Sequence, residues 1–299
     1  MSQLHIRDYA SLCNHGETVN AYKTIWSNGS LIEFRKYRLG IKHGYRRRFS
    51  PASKTEKRKG ASRDFSIIRS IDKVRLLINS NFGVNHYFLT FTFDPKIHPW
   101  IYDKDSYSKV PYYWKIFTQA YFDKVLKKPD LKYLAVPEFI SSKRNHWHIH
   151  VLINKKPFVG VTLRNFIEGS ARMTQYWGQG RTSIELIKSL RWWKWRNLTP
   201  SADTLSRYVC KYMVKNIGAN VFPLGRRRYY PSKNLIKPKV LYGDYDPMKI
   251  DSAPKDRLVT TVKRNFDHVG EVEVSKVHLD IPWYLPLLHK YVGDDSSSK

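Results

Sequence analysis

The sequence predicts an α+β fold, a two-layer sandwich built on a central antiparallel sheet, flanked by helices and by basic extensions at both ends. Three observations predict it. Between residues 84 and 218, strand-like alternation and helix-like spacing take turns in the order β-α-β-β-α-β-α. Two of the strand-like runs are joined by a short polar stretch, which suits hairpin pairing and rules out an all-parallel sheet. The chain has 299 residues, 41% hydrophobic and 14% aromatic, enough for a sizeable core.

A leading helix comes first. In "DFSIIRSIDKVRLLINSNFG" (64–83), Ile67, Ile68, Ile71, Val74, Leu76 and Leu77 lie near helical spacing, and a glycine ends the run. "VNHYFLTFTFD" (84–94) alternates, is rich in aromatic and β-branched residues, and closes on Asp-Pro, so it reads as a strand. "WKIFTQAYFDKVLKK" (114–128) reads as a helix. "LKYLAVPEFI" (131–140) and "HWHIHVLIN" (146–154) read as strands joined through "SSKRN". "TLRNFIEGSARMTQYW" (162–177) is a helix, "RTSIELIK" (181–188) a strand, and "SADTLSRYVCKYMVKNIG" (201–218) a helix with cap-type Ser201 and Asp203 at its start and Gly218 past its end. The expected division is a basic extension over 1–63, a compact domain over 64–220 and a second basic extension over 221–299.

The charge balance speaks of partners rather than of fold. There are 53 Lys and Arg against 25 Asp and Glu, a formal +28. Nucleic acid is the expected polyanion, because each phosphate met by a cation releases condensed counterions. A membrane surface is not expected: "MSQLHIRDYA" carries neither a lipidation motif nor a basic amphipathic helix, and no apolar run reaches the ~20 residues of a span. An intracellular, cytoplasmic location follows as the expectation. Cys13 and Cys210 stand far apart and form no C-x-x-C pair, so a disulfide framework and a cysteine zinc site are excluded.

The stretch "NHWHIHVLIN" (145–154) places His146, His148 and His150 at alternate positions, hence on one face of a strand. H-x-H alone also describes an ordinary polar strand face. Glu138 in the preceding strand adds to it. A connection of three or five residues pairs positions whose numbers sum to 286 or 288, which sets Glu138 across from His148 or His150; two or four residues would turn it to the other face. Two imidazoles and a carboxylate make a mixed site suited to Mn²⁺ or Mg²⁺, able to polarise a phosphoryl oxygen.

In "RYVCKYMVKN" (207–216), Tyr208, Lys211, Tyr212 and Lys215 fall at i, i+3, i+4 and i+7 and share a helical face. A phenol is a poor nucleophile unless a cation and a metal-bound phosphate stand close by, and a lysine one turn along supplies the charge. The plainer reading has the tyrosines packing on a sheet while the lysines reach outward.

Taken together, "YFLTFTFDP", "YLAVPEF", "HIHVLI" and "YVCKYMVK" in this order resemble the motif series of HUH endonucleases, in particular the rolling-circle replication initiators of small plasmids and single-stranded DNA phages. The resemblance covers about 64–235. It implies the HUH endonuclease fold, with His148, His150 and Glu138 as metal ligands, Tyr208 with Lys211 as the Y-x-x-K unit, and Tyr212 as the second tyrosine. The implied chemistry is phenol attack on a scissile phosphate, leaving a 5′-phosphotyrosine and a free 3′-hydroxyl. His146 departs from the pattern by creating a second H-x-H, so the ligand pair is either 148/150, favoured because "HIHVLI" runs into the apolar strand, or 146/148.

Outside these motifs, "RWWKWR" (191–196), with Trp195, interleaves rings and cations as a single-strand stacking platform would, or as core aromatics would. Arg226, Arg227 and Arg228 in "GRRRYYPS" and the triplet of "GYRRRFS" (44–50) suit phosphate contact. No G-x-x-x-x-G-K-[ST], G-x-S-x-G or H-E-x-x-H occurs, so unwinding would fall to a host helicase. The expected substrate is single-stranded or hairpin origin DNA, with a host polymerase extending the 3′ end. A transposase of the same chemistry and a non-catalytic nucleic-acid-binding protein are the competing readings.

Overall fold

The computed structural model describes residues 18–27, 31–40, 60–139, 145–158, 163–190, 201–215, 221–222, 226–242, 258–266 and 270–278. Along the chain these form β1 (Thr18–Ser27), β2 (Leu31–Gly40), α1 (Gly60–Asn81), β3 (Tyr87–Thr92), α2 (Lys109–Phe117), β4 (Tyr133–Glu138), β5 (His148–Ile153), α3 (Leu163–Trp177), β6 (Thr182–Leu186), α4 (Ala202–Lys215), β7 (Tyr230–Pro231), β8 (Lys239–Tyr242), β9 (Leu258–Phe266) and β10 (Gly270–His278). None of the described helices is long and apolar enough to cross a membrane.

The chain divides into two units. One comprises residues 1–57 and 237–299 and carries an open antiparallel sheet in the order β8-β1-β2-β10-β9. Both ends of the chain therefore contribute strands to a single sheet. A register shift interrupts the β9–β10 ladder at Lys276/Val277.

The other unit, residues 58–236, holds the open five-stranded antiparallel sheet β6-β3-β5-β4-β7 and the four helices, an α+β arrangement as expected. Alternation sorts its strands into two faces. Leu89, Phe91, Ala135, Ile149, Val151 and Ile153 point to one, where α2 covers them with Trp114 and Phe117 and α3 with Met173 and Trp177. Phe88, Leu134, Val136 and Leu152 point to the other, beneath Val74, Leu77 and Ile78 of α1 and Leu205, Val209 and Met213 of α4. The sheet is thus the middle of three layers, one more than the two-layer sandwich expected from the sequence. Every residue of β5 is buried for that reason.

Local chemistry explains the element ends. The Ser201 hydroxyl accepts from Thr204 N–H at 3.1 Å, and the Thr204 hydroxyl accepts from Ser201 N–H at 2.9 Å, a reciprocal cap that starts α4. Asp203 in its first turn accepts from Arg207 at 2.6 Å. Helix α2 begins earlier than its apolar pattern indicates, because two short 3₁₀ turns (Pro99–Tyr102 and Lys104–Ser108) lead into it and Pro111 is tolerated within a first turn. It runs on through π-type turns over Thr118–Leu126 and stops where Lys127 turns left-handed at φ 41°.

The α3–β6 turn crosses the end of β3 closely. Thr92 N–H donates to Arg181 O at 2.9 Å and Asp94 N–H to Gln179 O at 2.7 Å. A Cβ on Gly180 would collide with the Thr92 carbonyl oxygen and stand 2.8 Å from the Asp94 nitrogen, both backbone atoms that cannot give way. Gly180→Ala is expected to cost roughly 1–3 kcal/mol in chemical denaturation. Gly83→Ala, where nothing lies within 4 Å of the added carbon, should change stability by less than about 1 kcal/mol.

Candidate functional site

The ladder between β4 and β5 pairs Glu138 with His148, the first of the two expected registers. The connection between the last and first ladder residues is longer than the five residues of "SSKRN", and 140–144 within it lie outside the described residues. On the other side of β5, β3 sets Thr90 opposite His150 and Thr92 opposite His148. Period-two alternation then gathers Thr90, Glu138, His148 and His150 on the face that α1 and α4 cover.

Glu138, His148 and His150 are buried together, each offering a ligand atom within 4.8 Å of the others, and this group could hold a metal ion. Glu138 Oε2 lies 2.7 Å from His148 Nε2 and 2.9 Å from His150 Nε2. Such separations suit neighbouring ligands of one ion, since metal–oxygen bonds of about 2.1 Å place adjacent octahedral ligands about 3 Å apart.

The other ring nitrogens sharpen the fit. His148 Nδ1 is 3.1 Å from the His146 carbonyl oxygen, which can only accept, so Nδ1 carries the proton. In the neutral ring that leaves Nε2 with a lone pair aimed at a carboxylate oxygen. Two groups of negative character meet there, and a cation or a further proton between them resolves the conflict. His150 Nδ1 lies 3.3 Å from Thr90 Oγ1, which can accept in the same way. Burial chiefly, with His148 and Lys211 adding to it and Glu138 opposing, pushes His150 down to about 4, so it is neutral and able to ligate near neutral pH.

Helix α4 brings its tyrosines onto this face. The Tyr212 ring stacks on His150 with centroids 3.9 Å apart and planes 18° from parallel, and meets Tyr208 edge-on at 5.4 Å. Phe88 fills the space beside them, 5.4 Å from both His150 and Tyr208. Lys211 Nζ sits 4.0 Å over the Tyr208 ring and 4.9 Å over that of Tyr212, so it folds across the phenols rather than reaching outward.

Burial raises both phenols, and their mutual hydrogen bond divides them: it lowers Tyr208 and raises Tyr212, as expected when Tyr212 donates to the Tyr208 oxygen. Tyr212 is buried while Tyr208 is half-buried. Tyr208 is therefore the more accessible phenol and the easier to ionise.

The remaining expected residues are scattered. His146 is half-buried, outside the ligand group, and gives its N–H to Phe139 O at 2.9 Å. Lys215 ends α4, but its side chain is outside the described residues, as are Trp195 and the whole "RWWKWR" stretch. The triplet of 44–50 also falls outside them. Arg226 and Arg227 are exposed, whereas Arg228 is buried and donates to Ser70 Oγ of α1 at 3.0 Å. Sequence reasoning missed Thr90 and Phe88. Their strand was recognised, but its pairing with β5 skips over β4 and has no local signature.

Residues 86–217 match the family described as replication-associated protein ORF2. That segment, a little under half of the chain, contains Glu138, His148, His150, Tyr208, Lys211 and Tyr212. The replication-associated match fits a rolling-circle replication protein, is consistent with the HUH superfamily, and supports a role in DNA replication. No curated protein and no solved structure matches the chain.

Thr90→Val keeps the shape of the strand and removes the acceptor on His150 Nδ1. Binding of Mn²⁺ as a probe ion, followed by titration calorimetry, should weaken about 10- to 100-fold in Thr90→Val and recover in Thr90→Ser. An ion should also raise the melting temperature of the parent protein but not that of Glu138→Ala.

Proposed function

We propose that the protein is a replication initiator that nicks single-stranded DNA at an origin and later rejoins strands through a phosphotyrosine. The observation that carries this reading is the packing of an accessible phenol and a lysine against a buried Glu-His-His group, within the segment that matches a replication-associated family. Mn²⁺ or Mg²⁺ held by Glu138, His148 and His150 would polarise a non-bridging oxygen of the scissile phosphate.

Tyr208 is the first nucleophile in this reading. Its phenolic oxygen attacks phosphorus, the bond to the 3′ oxygen breaks, and that oxygen leaves with a proton as the 3′-hydroxyl that primes synthesis. The 5′ phosphate stays esterified to Tyr208. The hydrogen bond from Tyr212 stabilises the phenolate as the proton departs, and Lys211 offsets the charge that gathers on the phenol and the phosphate. Tyr212, stacked on His150, would act as alternate nucleophile in strand transfer. Arg226 and Arg227, with Trp195 and Lys215, would grip the flanking strand; a host helicase and polymerase would supply unwinding and extension.

Incubation with Mn²⁺ and single-stranded oligonucleotides tiled across the protein's own replicon provides the test. A covalent adduct on the 5′ side of the cut is expected, reduced to background in Tyr208→Phe and retained, though slower, in Tyr212→Phe. Loss in Tyr212→Phe alone would reverse the order of the tyrosines. Tight, salt-sensitive binding with no adduct on any oligonucleotide would leave a non-catalytic DNA-binding protein.

A further inference from the structure

The end of the 58–236 sheet that points away from the metal ligands is lined with cations. Register places Leu186, Tyr87, Ile153 and Tyr133 in one row across β6, β3, β5 and β4, and Ser232 N–H continues it by donating to Tyr133 O at 2.9 Å. Just beyond that row each strand meets a basic residue: Lys188 after β6, His86 before β3, Lys155 after β5, Lys132 before β4 and Lys233 after β7. Four strand spacings of about 4.8 Å make this rim about 19 Å long. One DNA strand presents a phosphate about every 3.4 Å, so the rim spans five or six phosphate steps.

The rim is built on fixed backbone. Lys132 N–H donates to Asn154 Oδ1 at 2.7 Å and Asn154 N–H to Lys132 O at 3.1 Å, while Lys128 Nζ holds the Lys156 carbonyl at 2.6 Å. Its charges repel one another. Burial, then Lys132 and Lys155, push His86 down; burial, then Lys156 and Lys155, push Lys128 down. Asp123 and Asp130 stand in the preceding segment, yet among the described residues neither forms an ion pair with a lysine. Convergence of like charge from five strand ends is unfavourable in the isolated protein, and a polyanion relieves it.

We infer that this rim binds the phosphate backbone of duplex DNA, as a surface separate from the tyrosine site. Duplex is favoured over single strand because the nearby rings are turned inward: Phe158, under Lys156 Nζ at 5.0 Å, is buried, and Tyr87 and Tyr133 are half-buried in the row itself. Cations without exposed rings read phosphates, not unstacked bases. Lys155 lies five residues beyond His150, about 16 Å along the strand, so a duplex on the rim is not the phosphodiester at the phenols. The inference rests on the proposed DNA-directed function for its partner alone.

Fluorescence anisotropy on the full chain tests it, in EDTA so that no cleavage takes part, with a 20-bp duplex of arbitrary sequence and an 8-nucleotide single strand. At ~0.9 per phosphate contact, the combined variant Lys132→Gln, Lys155→Gln, Lys156→Gln should flatten the slope of log K against log salt by about 2–3 on the duplex and by less than about 1 on the single strand. Lys188→Gln with Lys233→Gln, at the two ends of the row, should flatten the duplex slope by about 2, which keeps the test available if the triple variant folds poorly. An unchanged duplex slope in a folded variant overturns the inference, and equal flattening on both probes overturns the assignment to duplex. Because only binding is read, absence of nicking would leave this result standing, and a working nickase with an unchanged slope would sink the rim alone.

Discussion

Glu138 lies buried between two imidazoles, with one carboxylate oxygen within hydrogen-bond distance of both. A buried carboxylate is tolerated only when its charge is met, and a buried histidine only when both ring nitrogens are satisfied. Those demands reach outward through the domain. They require the β4–β5 register that sets Glu138 across from His148, since a one-residue slip would turn the carboxylate to the opposite face. They also require β3 beside β5, so that Thr90 meets His150 Nδ1, and α4 overhead, so that Tyr212 closes the ring face of His150 against water.

From that constraint the tyrosine helix takes its place. Leu205, Val209 and Met213 dock α4 on the apolar side of the same strand face, and the reciprocal cap at Ser201 and Thr204 fixes where the helix begins. Tyr208 and Tyr212, one turn apart, then arrive over Phe88 and His150. Burial raises both phenols, so neither reacts unaided at neutral pH. Reactivity has to come from charge placed beside Tyr208 when a phosphate is present, and Lys211 together with an ion at the Glu-His-His group supplies it.

Much of the 58–236 unit was legible in the sequence because its signals are local. Alternation in "FLTFTF", the cap at Ser201 and the i, i+4 spacing of Tyr208 and Tyr212 each depend on a few neighbouring residues. The grouping of Glu138 with His148 was legible because a short connection limits the register to few choices. Non-local pairing was not legible. That β3 lies next to β5, that helices cover both faces, and that strands from residues 18–40 and 239–278 form one sheet depend on contacts between distant segments of chain. Thr90 and the rim of lysines share that origin, since each is assembled from strand ends that no local pattern connects. Arg228 shows the reverse case, a residue of a conspicuous basic triplet whose side chain turns inward to Ser70.

The central claim is that one ion sits among Glu138, His148 and His150, against the tyrosines. Pulsed electron paramagnetic resonance on Mn²⁺ bound to the histidine-¹⁵N-labelled protein tests it most directly. The account predicts coupling to two imidazole nitrogens, reduced to one in His150→Ala and unchanged in His146→Ala. Loss of a coupling in His146→Ala, or bound Mn²⁺ with no histidine coupling at all, would contradict it.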